Sequence, residues 1–320
     1  MTADAMAGTG LLGLGAANVG NLYTAMDDDE ARAILEAAWE CGIRAFDTAP
    51  HYGLGLSERR LGAFLRTKPR DEFTVSTKVG RLLRPDPDWS GELDEANDFM
   101  VQASLKRVWD VSIAGVRRSL EESLERLGLD RVDVVYLHDP ERFDLDRSLD
   151  EGLAGLIAIR DERLVAVVGV GSMDTRALTA FARTGAVDRL MVAGRLTLAD
   201  QSAADEVLPE CHERGIEVVA AAVFNSGLLA SMEPGAEDRF DYGPVPEELL
   251  ERTRRIAGVC GRHGVPLHVA ALQYPLLHPA VASVVAGAAT PDQVRANASA
   301  VEVAVPEALW QQLQDEGLVR

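Results

Sequence analysis

The feature that most constrains this chain is an alternation. Short β-branched or apolar runs recur, and each is followed by a helical pattern with charge on one face. Strands are expected at Ile43 to Thr48, Phe73 to Thr77, Val132 to Leu137, Val165 to Val170, Arg189 to Ala193 and Glu217 to Val223, with weaker runs at Val269 to Tyr274 and Val281 to Val285. Between them lie amphipathic stretches such as Asp28 to Trp39, Ile113 to Leu127, Leu149 to Arg160, Thr175 to Arg183, Ser202 to Arg214 and Glu247 to His263. Asp28, Asp174 and Thr290 before Pro291 are the residue types that cap helix N-termini. Strand-then-helix units in series dictate a parallel sheet, because parallel neighbours need a crossover connection.

Two closures of that sheet compete over 320 residues. An open doubly wound sheet calls for a G-x-G-x-x-G turn after an early strand, whereas a (β/α)8 barrel does not. Gly8-Thr9-Gly10-Leu11-Leu12-Gly13 has those letters, but no strand-length run precedes it and no helix follows. The glycine-rich start therefore reads as an N-terminal β-hairpin covering the barrel bottom, and the fold as a (β/α)8 TIM barrel. Two long segments, Arg81 to Asp110 and Asn225 to Pro246, follow strands and carry Pro and Gly, so they are expected to be loops at the C-terminal face that shape a mouth. Within the first, Glu95 to Val108 has the composition of a short helix. No linker divides the chain, so residues 1–320 are expected to form a single domain.

Composition narrows the function. With 32 Lys plus Arg against 51 Asp plus Glu, the net charge is −19, a field that repels phosphate backbones and anionic lipid. Nucleic acid and membrane partners are therefore not expected. Cys41, Cys211 and Cys260 are far apart and lack metal-ligand spacing, which argues for a reducing compartment, against zinc or any other metal site, and for three buried thiols. No signal peptide or membrane-span pattern is present in the sequence, and a cytoplasmic protein is expected. The sequence is silent on oligomeric state.

The chemistry-bearing residues sit where strands end. The first expected strand closes Phe46-Asp47-Thr48-Ala49-Pro50-His51-Tyr52-Gly53, the second Val75-Ser76-Thr77-Lys78, and the third Tyr136-Leu137-His138-Asp139-Pro140. Asp47, Tyr52, Lys78 and His138 thus converge on one rim. A lysine there is costly to bury unless a carboxylate pairs with it. Its ammonium is expected to lower the pKa of a neighbouring phenol, ordinarily about 10. The four together suit proton transfer coupled to hydride transfer, with His138 hydrogen-bonding the substrate oxygen. Lys78 as a Schiff-base lysine is the rival chemistry, and a barrel that binds a cofactor without turnover is a third possibility.

These stretches resemble the aldo-keto reductase family. The first motif continues into Ser57-Glu58-Arg59-Arg60-Leu61-Gly62, and the likeness runs from the glycine-rich start to Asn297. Tyr136 to Glu141, Ala193 to Leu198, Val223 to Leu229 and Gly287 to Asn297 resemble a branch of sugar and pyridoxal dehydrogenases. The resemblance implies a barrel binding a nicotinamide cofactor in extended form, with Tyr52 as proton donor or acceptor, Lys78 and Asp47 tuning it, and His138 orienting the substrate. It implies cofactor contacts from Ser172, Met173 and Arg195, from Phe224, Asn225, Ser226, Gly227 and Leu228 over the pyrophosphate, and from Gly287, Ala288, Gln293 and Asn297 at the adenosine end. The expected substrate is an aldose of the L-fucose, L-galactose or D-arabinose type, or pyridoxal. Reduction of aldehydes or ketones with NADPH is the alternative.

Three departures from the family pattern stand out. Gly287, Ala288 and Gln293 replace the cations that hold a ribose phosphate, so NAD is expected over NADP, with Arg295 as a partial substitute. Met173 stands where an Asn grips the carboxamide, with Ser172 and Asp174 beside it. Leu196 replaces an aromatic near the nicotinamide ring.

Overall fold

The computed structural model describes residues 10–231 and 233–320. Eight strands close into a barrel: β1 (Leu12–Gly15), β2 (Ala45–Asp47), β3 (Thr74–Val79), β4 (Val134–His138), β5 (Val167–Ser172), β6 (Arg189–Ala193), β7 (Glu217–Ala221) and β8 (Val281–Gly287). Every neighbouring pair is parallel, and β8 pairs with β1 to complete the ring. All five residues of β4 are buried, the pattern of a strand covered on both faces. Val135, Leu137, Val168, Val170, Leu190 and Val192 face the surrounding helices, while Val134, Tyr136, Met191 and Val219 fill the lumen.

Among the described residues, the α-helices of seven or more residues are α1 (Asp28–Glu40), α2 (Leu56–Leu65), α3 (Ile113–Leu127), α4 (Leu153–Asp161), α5 (Thr175–Thr184), α6 (Val207–Arg214), α7 (Glu247–Arg262), α8 (Leu267–Gln273), α9 (Pro291–Ala300) and α10 (Glu307–Asp315). In α1, Ala31, Ile34, Leu35 and Ala38 are buried, one stripe at helical spacing. Its cap is Asp27, one residue before the expected position. Asp27 accepts from the Glu30 amide, and the Glu30 carboxylate accepts from the Asp27 amide, each at 2.8 Å, a closed capping box. Asp174 and Thr290 cap α5 and α9 as expected.

Several expectations need correction. No N-terminal β-hairpin forms among the described residues, and Gly8 and Thr9 lie outside them. Leu12–Gly15 is instead the first barrel strand. Its glycines read as turn chemistry, yet a Cβ on Gly13 or Gly15 would come within 3.2 Å of the Val285 side chain, so the strand admits little else there. Val269 to Tyr274 is not a strand but most of α8, with Pro266 at its N-cap. A short apolar run does not distinguish the two by periodicity. The Arg81 to Asp110 segment contains no α-helix: it folds as one antiparallel ribbon, Arg81–Pro85 with Leu105–Trp109, carrying a smaller one, Leu93–Asp94 with Phe99–Gln102. Cys211 and Cys260 are buried, but Cys41 is exposed. Among the described residues, no helix is long and apolar enough to cross a membrane.

Candidate active site

The loop between β2 and α2 places Tyr52, and two glycines fix it. Gly53 has φ +58°, and a Cβ there would lie 2.1 Å from the Gly20 carbonyl oxygen; a Cβ on Gly20 would approach the Tyr52 backbone to 3.0 Å. Backbone meets backbone, which only glycine permits. Ser57 anchors the loop further by donating to the Ala16 carbonyl at 2.7 Å, with the Thr48 hydroxyl 2.8 Å away.

Strand alternation aims Ser76 and Lys78 of β3 into the lumen. The Lys78 ammonium donates to Asp47 Oδ2 at 2.6 Å, to the Thr48 carbonyl at 3.0 Å and to the Tyr52 hydroxyl at 3.1 Å. All three of its donors are used. Ser76 donates to the other Asp47 oxygen at 2.7 Å. Lys78 and Asp47 are 2% and 3% exposed, so this is a buried ion pair with its remaining hydrogen bonds made, the condition under which such a pair is tolerated.

Burial opposes the Lys78 charge, but the Asp47 carboxylate and the Tyr52 oxygen overcome it, and the ammonium is held more firmly than usual. For Tyr52 the balance runs opposite to the sequence expectation. Burial raises its pKa, and although the Lys78 ammonium pulls it down, the result stays above the ordinary phenol value. Desolvation outweighs one cation here. Tyr52 is therefore a phenol at neutral pH, in contact with the group that stabilises its phenolate.

His138 completes the expected set. Its ring lies 6.1 Å from that of Tyr52, edge to face, and burial followed by the Arg81 and Lys78 cations pushes its pKa well below the usual value. It is a neutral imidazole. Asp47, Tyr52, Lys78 and His138 are thus brought to one point.

The other expected residues gather beside it. Arg195 donates to the Met173 carbonyl at 3.0 Å and to Asp241 at 2.6 Å. Asn225 donates to the Gly194 carbonyl at 3.2 Å, and its Oδ1 is buried without a partner. Ser226 accepts from the Tyr242 amide at 3.0 Å, so the loop after β7 closes on itself above Phe224, Gly227 and Leu228. Ser172 accepts from the Asp174 amide at 2.8 Å. At the far end, Asn297 donates to the Gly287 carbonyl at 3.4 Å, the Ala289 amide donates to Gln293 at 2.7 Å, and Ala288 is buried.

Sequence reasoning assigned no role to Ser76, His51, Arg81 or Arg107. Ser76 has a signal, two residues before Lys78 on the same face. Arg81 pairs with Asp139 at 2.5 Å, and Arg107 pairs with Asp94 and donates to the His51 carbonyl at 2.8 Å. These contacts depend on the ribbon folding back over the mouth, which spacing in the sequence does not show.

A buried Tyr–Lys–Asp chain thus lies at the mouth of an eight-stranded barrel, and the protein is an oxidoreductase of the aldo/keto reductase family, whose model matches residues 11–316. It is 55% identical to a D-threo-aldose 1-dehydrogenase from a Pseudomonas species, over 99% of this chain and 98% of that one. It is 37% identical to a pyridoxal 4-dehydrogenase from Microbacterium luteolum (96% and 94% covered) and 30% identical to an L-galactose dehydrogenase from Arabidopsis thaliana (93% and 87%). Among solved structures, an aldo-keto reductase from Bacillus halodurans in its holo form superposes with a TM-score of 0.76 at 27% identity, covering 97% of this chain and 92% of that one.

Proposed function

We propose that this chain is an NAD-dependent dehydrogenase that oxidises the C1 hemiacetal hydroxyl of an aldose to a lactone. The observation that carries the reading is the hydrogen-bonded chain from Tyr52 through Lys78 to Asp47 beside a neutral His138. The 55% identity to a D-threo-aldose 1-dehydrogenase supports the substrate class. Tyr52 acts as its phenolate, reached by loss of its proton to solvent as pH rises and stabilised by the Lys78 ammonium; it accepts the C1 hydroxyl proton and becomes the phenol, while Asp47 with Ser76 keeps Lys78 charged and aimed. His138 donates a hydrogen bond to the reacting oxygen and fixes its position. A bound nicotinamide supplies the acceptor for the hydride that leaves C1.

The residues present fit such a dinucleotide. Asn225 Oδ1 is a buried acceptor with no partner, a Cβ on Gly287 would press on Asn18 at 2.9 Å, and α9 begins beside Gly287 with the amide-rich end that suits anionic groups. Ser172, Met173 and Arg195 would hold the inner end, Phe224, Asn225, Ser226, Gly227 and Leu228 the middle, and Gly287, Ala288, Gln293 and Asn297 the outer end. Preference for NAD rests on Gln293 being engaged by the Ala289 amide and on Arg295 being held by Asp292 at 3.1 Å and Glu40 at 3.9 Å. No free cation at these positions meets a ribose phosphate.

The test is purified protein with NAD or NADP and a panel of L-fucose, L-galactose, D-arabinose and pyridoxal, read by the absorbance of the reduced nicotinamide. Aldose oxidation with NAD is the expected result. No oxidation of any of the four, with good NADPH-dependent reduction of simple aldehydes, overturns the reading.

A further inference from the structure

We propose that His51 determines substrate specificity by hydrogen-bonding the hydroxyl on the carbon next to the reacting one, so that the site selects vicinal polyols over simple alcohols and carbonyls. The inference rests on the aldose reading above and deepens it.

Four observations place His51 in that role. Its ring centroid is 5.7 Å from that of His138 and 6.2 Å from that of Tyr52. The two groups that would grip the reacting oxygen are therefore the direct neighbours of the His51 ring. The ring is held at a fixed angle. Its edge meets Phe99 at 5.5 Å and 89°, and its backbone carbonyl accepts from Arg107 at 2.8 Å, which Asp94 holds through both oxygens. His51 is thus fixed by the ribbon over the mouth as well as by its own loop.

The ring nitrogen Nδ1 is shielded from solvent and finds no hydrogen-bond partner among the described residues. A buried polar atom without a partner is unusual, and at a site it marks a place where a ligand group belongs. The charge state matches a hydroxyl. Burial, then the Arg107, Arg81, Arg142 and Lys78 cations, hold His51 well below the usual histidine pKa, so its imidazole offers one donor and one acceptor. Those four cations face it together with the neutral His138 ring, the Tyr52 phenol and the Asp94 and Asp139 carboxylates that pair with Arg107 and Arg81. A hydroxyl both donates and accepts, whereas a simple alkyl neighbour does neither. A site whose buried polar group needs such a partner rejects the analogue that lacks it.

The experiment compares kcat/KM for L-fucose and 2-deoxy-L-fucose in wild type, His51→Phe and His51→Asn. Phenylalanine keeps the aromatic packing against Phe99 and removes both nitrogens; asparagine restores a donor and an acceptor. The expected result is a wild-type preference for the hydroxylated sugar of about a hundredfold or more. In His51→Phe that preference falls at least about tenfold, through loss on L-fucose alone and with the deoxy sugar little changed, and His51→Asn recovers part of it. A ratio unchanged in His51→Phe overturns the inference while leaving the aldose reading intact. Absence of any aldose oxidation by wild type overturns both. A His51→Phe protein that loses activity on both sugars equally counts against specificity, since that is the signature of a displaced Tyr52.

Discussion

Lys78 sits at the centre of the site because each of its three donors ends on an acceptor, and only one of those acceptors is the phenol to which we assign the proton transfer. Removing the ammonium takes away the one influence that lowers the Tyr52 pKa. Lys78→Met is therefore expected to move the rising limb of kcat against pH for aldose oxidation to higher pH, and to cut kcat at neutral pH by about 10²- to 10⁴-fold. A pH–rate profile of both proteins checks the direction: a limb that stays in place contradicts it. At this scale the sequence was informative where a residue's position on a strand end was itself the signal, as for Asp47, Lys78 and His138. The direction of the Tyr52 shift was not legible, because it depends on how completely the loop buries the ring. Nor was the exposure of Cys41, which closes α1 on the solvent side.

At the scale of elements, Gly53 shows how a loop can be as exacting as a strand. With φ at +58° and the Gly20 oxygen only 2.1 Å from a would-be Cβ, Gly53→Ala is expected to destabilise the protein by about 2 kcal/mol or more and to displace Tyr52, lowering kcat. Denaturant midpoints and steady-state rates on the same preparation test both effects. The strand–helix periodicity was readable for the central strands, where Val-rich runs are covered on both faces. It failed at the closing seam. β1 is four residues long and half glycine, so its place is set by β8 and β2 on either side rather than by its own propensity. α8 failed the other way, its buried apolar run lacking the polar face that identifies a surface helix. The ribbon over the mouth was invisible because the partners of its main pair of strands lie 20 to 28 residues apart and its Pro and Gly content suggests a loop.

For the molecule as a whole, two buried neutral histidines at the mouth tie stability to pH. The pKa values of His51 and His138 are lowered in the folded protein, so the unfolded chain binds more protons between those values and about 6.5. Their contribution is fully present above that ordinary value and is lost as pH falls through the lowered ones. Stability is expected to fall by up to about 1.4 kcal/mol per pH unit for each histidine in that window. Thermal melts from neutral to mildly acidic pH check this, and His51→Phe is expected to flatten the slope. Cofactor choice is also set beyond the chemical centre: Gln293→Arg is expected to improve NADP binding relative to NAD, read as a ratio of dissociation constants by fluorescence titration.

The central claim is that Tyr52 carries the proton in aldose oxidation while taking no part in holding the dinucleotide. It is tested most directly by measuring L-fucose turnover and the NAD dissociation constant side by side in wild type and Tyr52→Phe. The account predicts turnover reduced to background with NAD affinity little changed. Tyr52→Phe that still oxidises the sugar at a rate near wild type would contradict it.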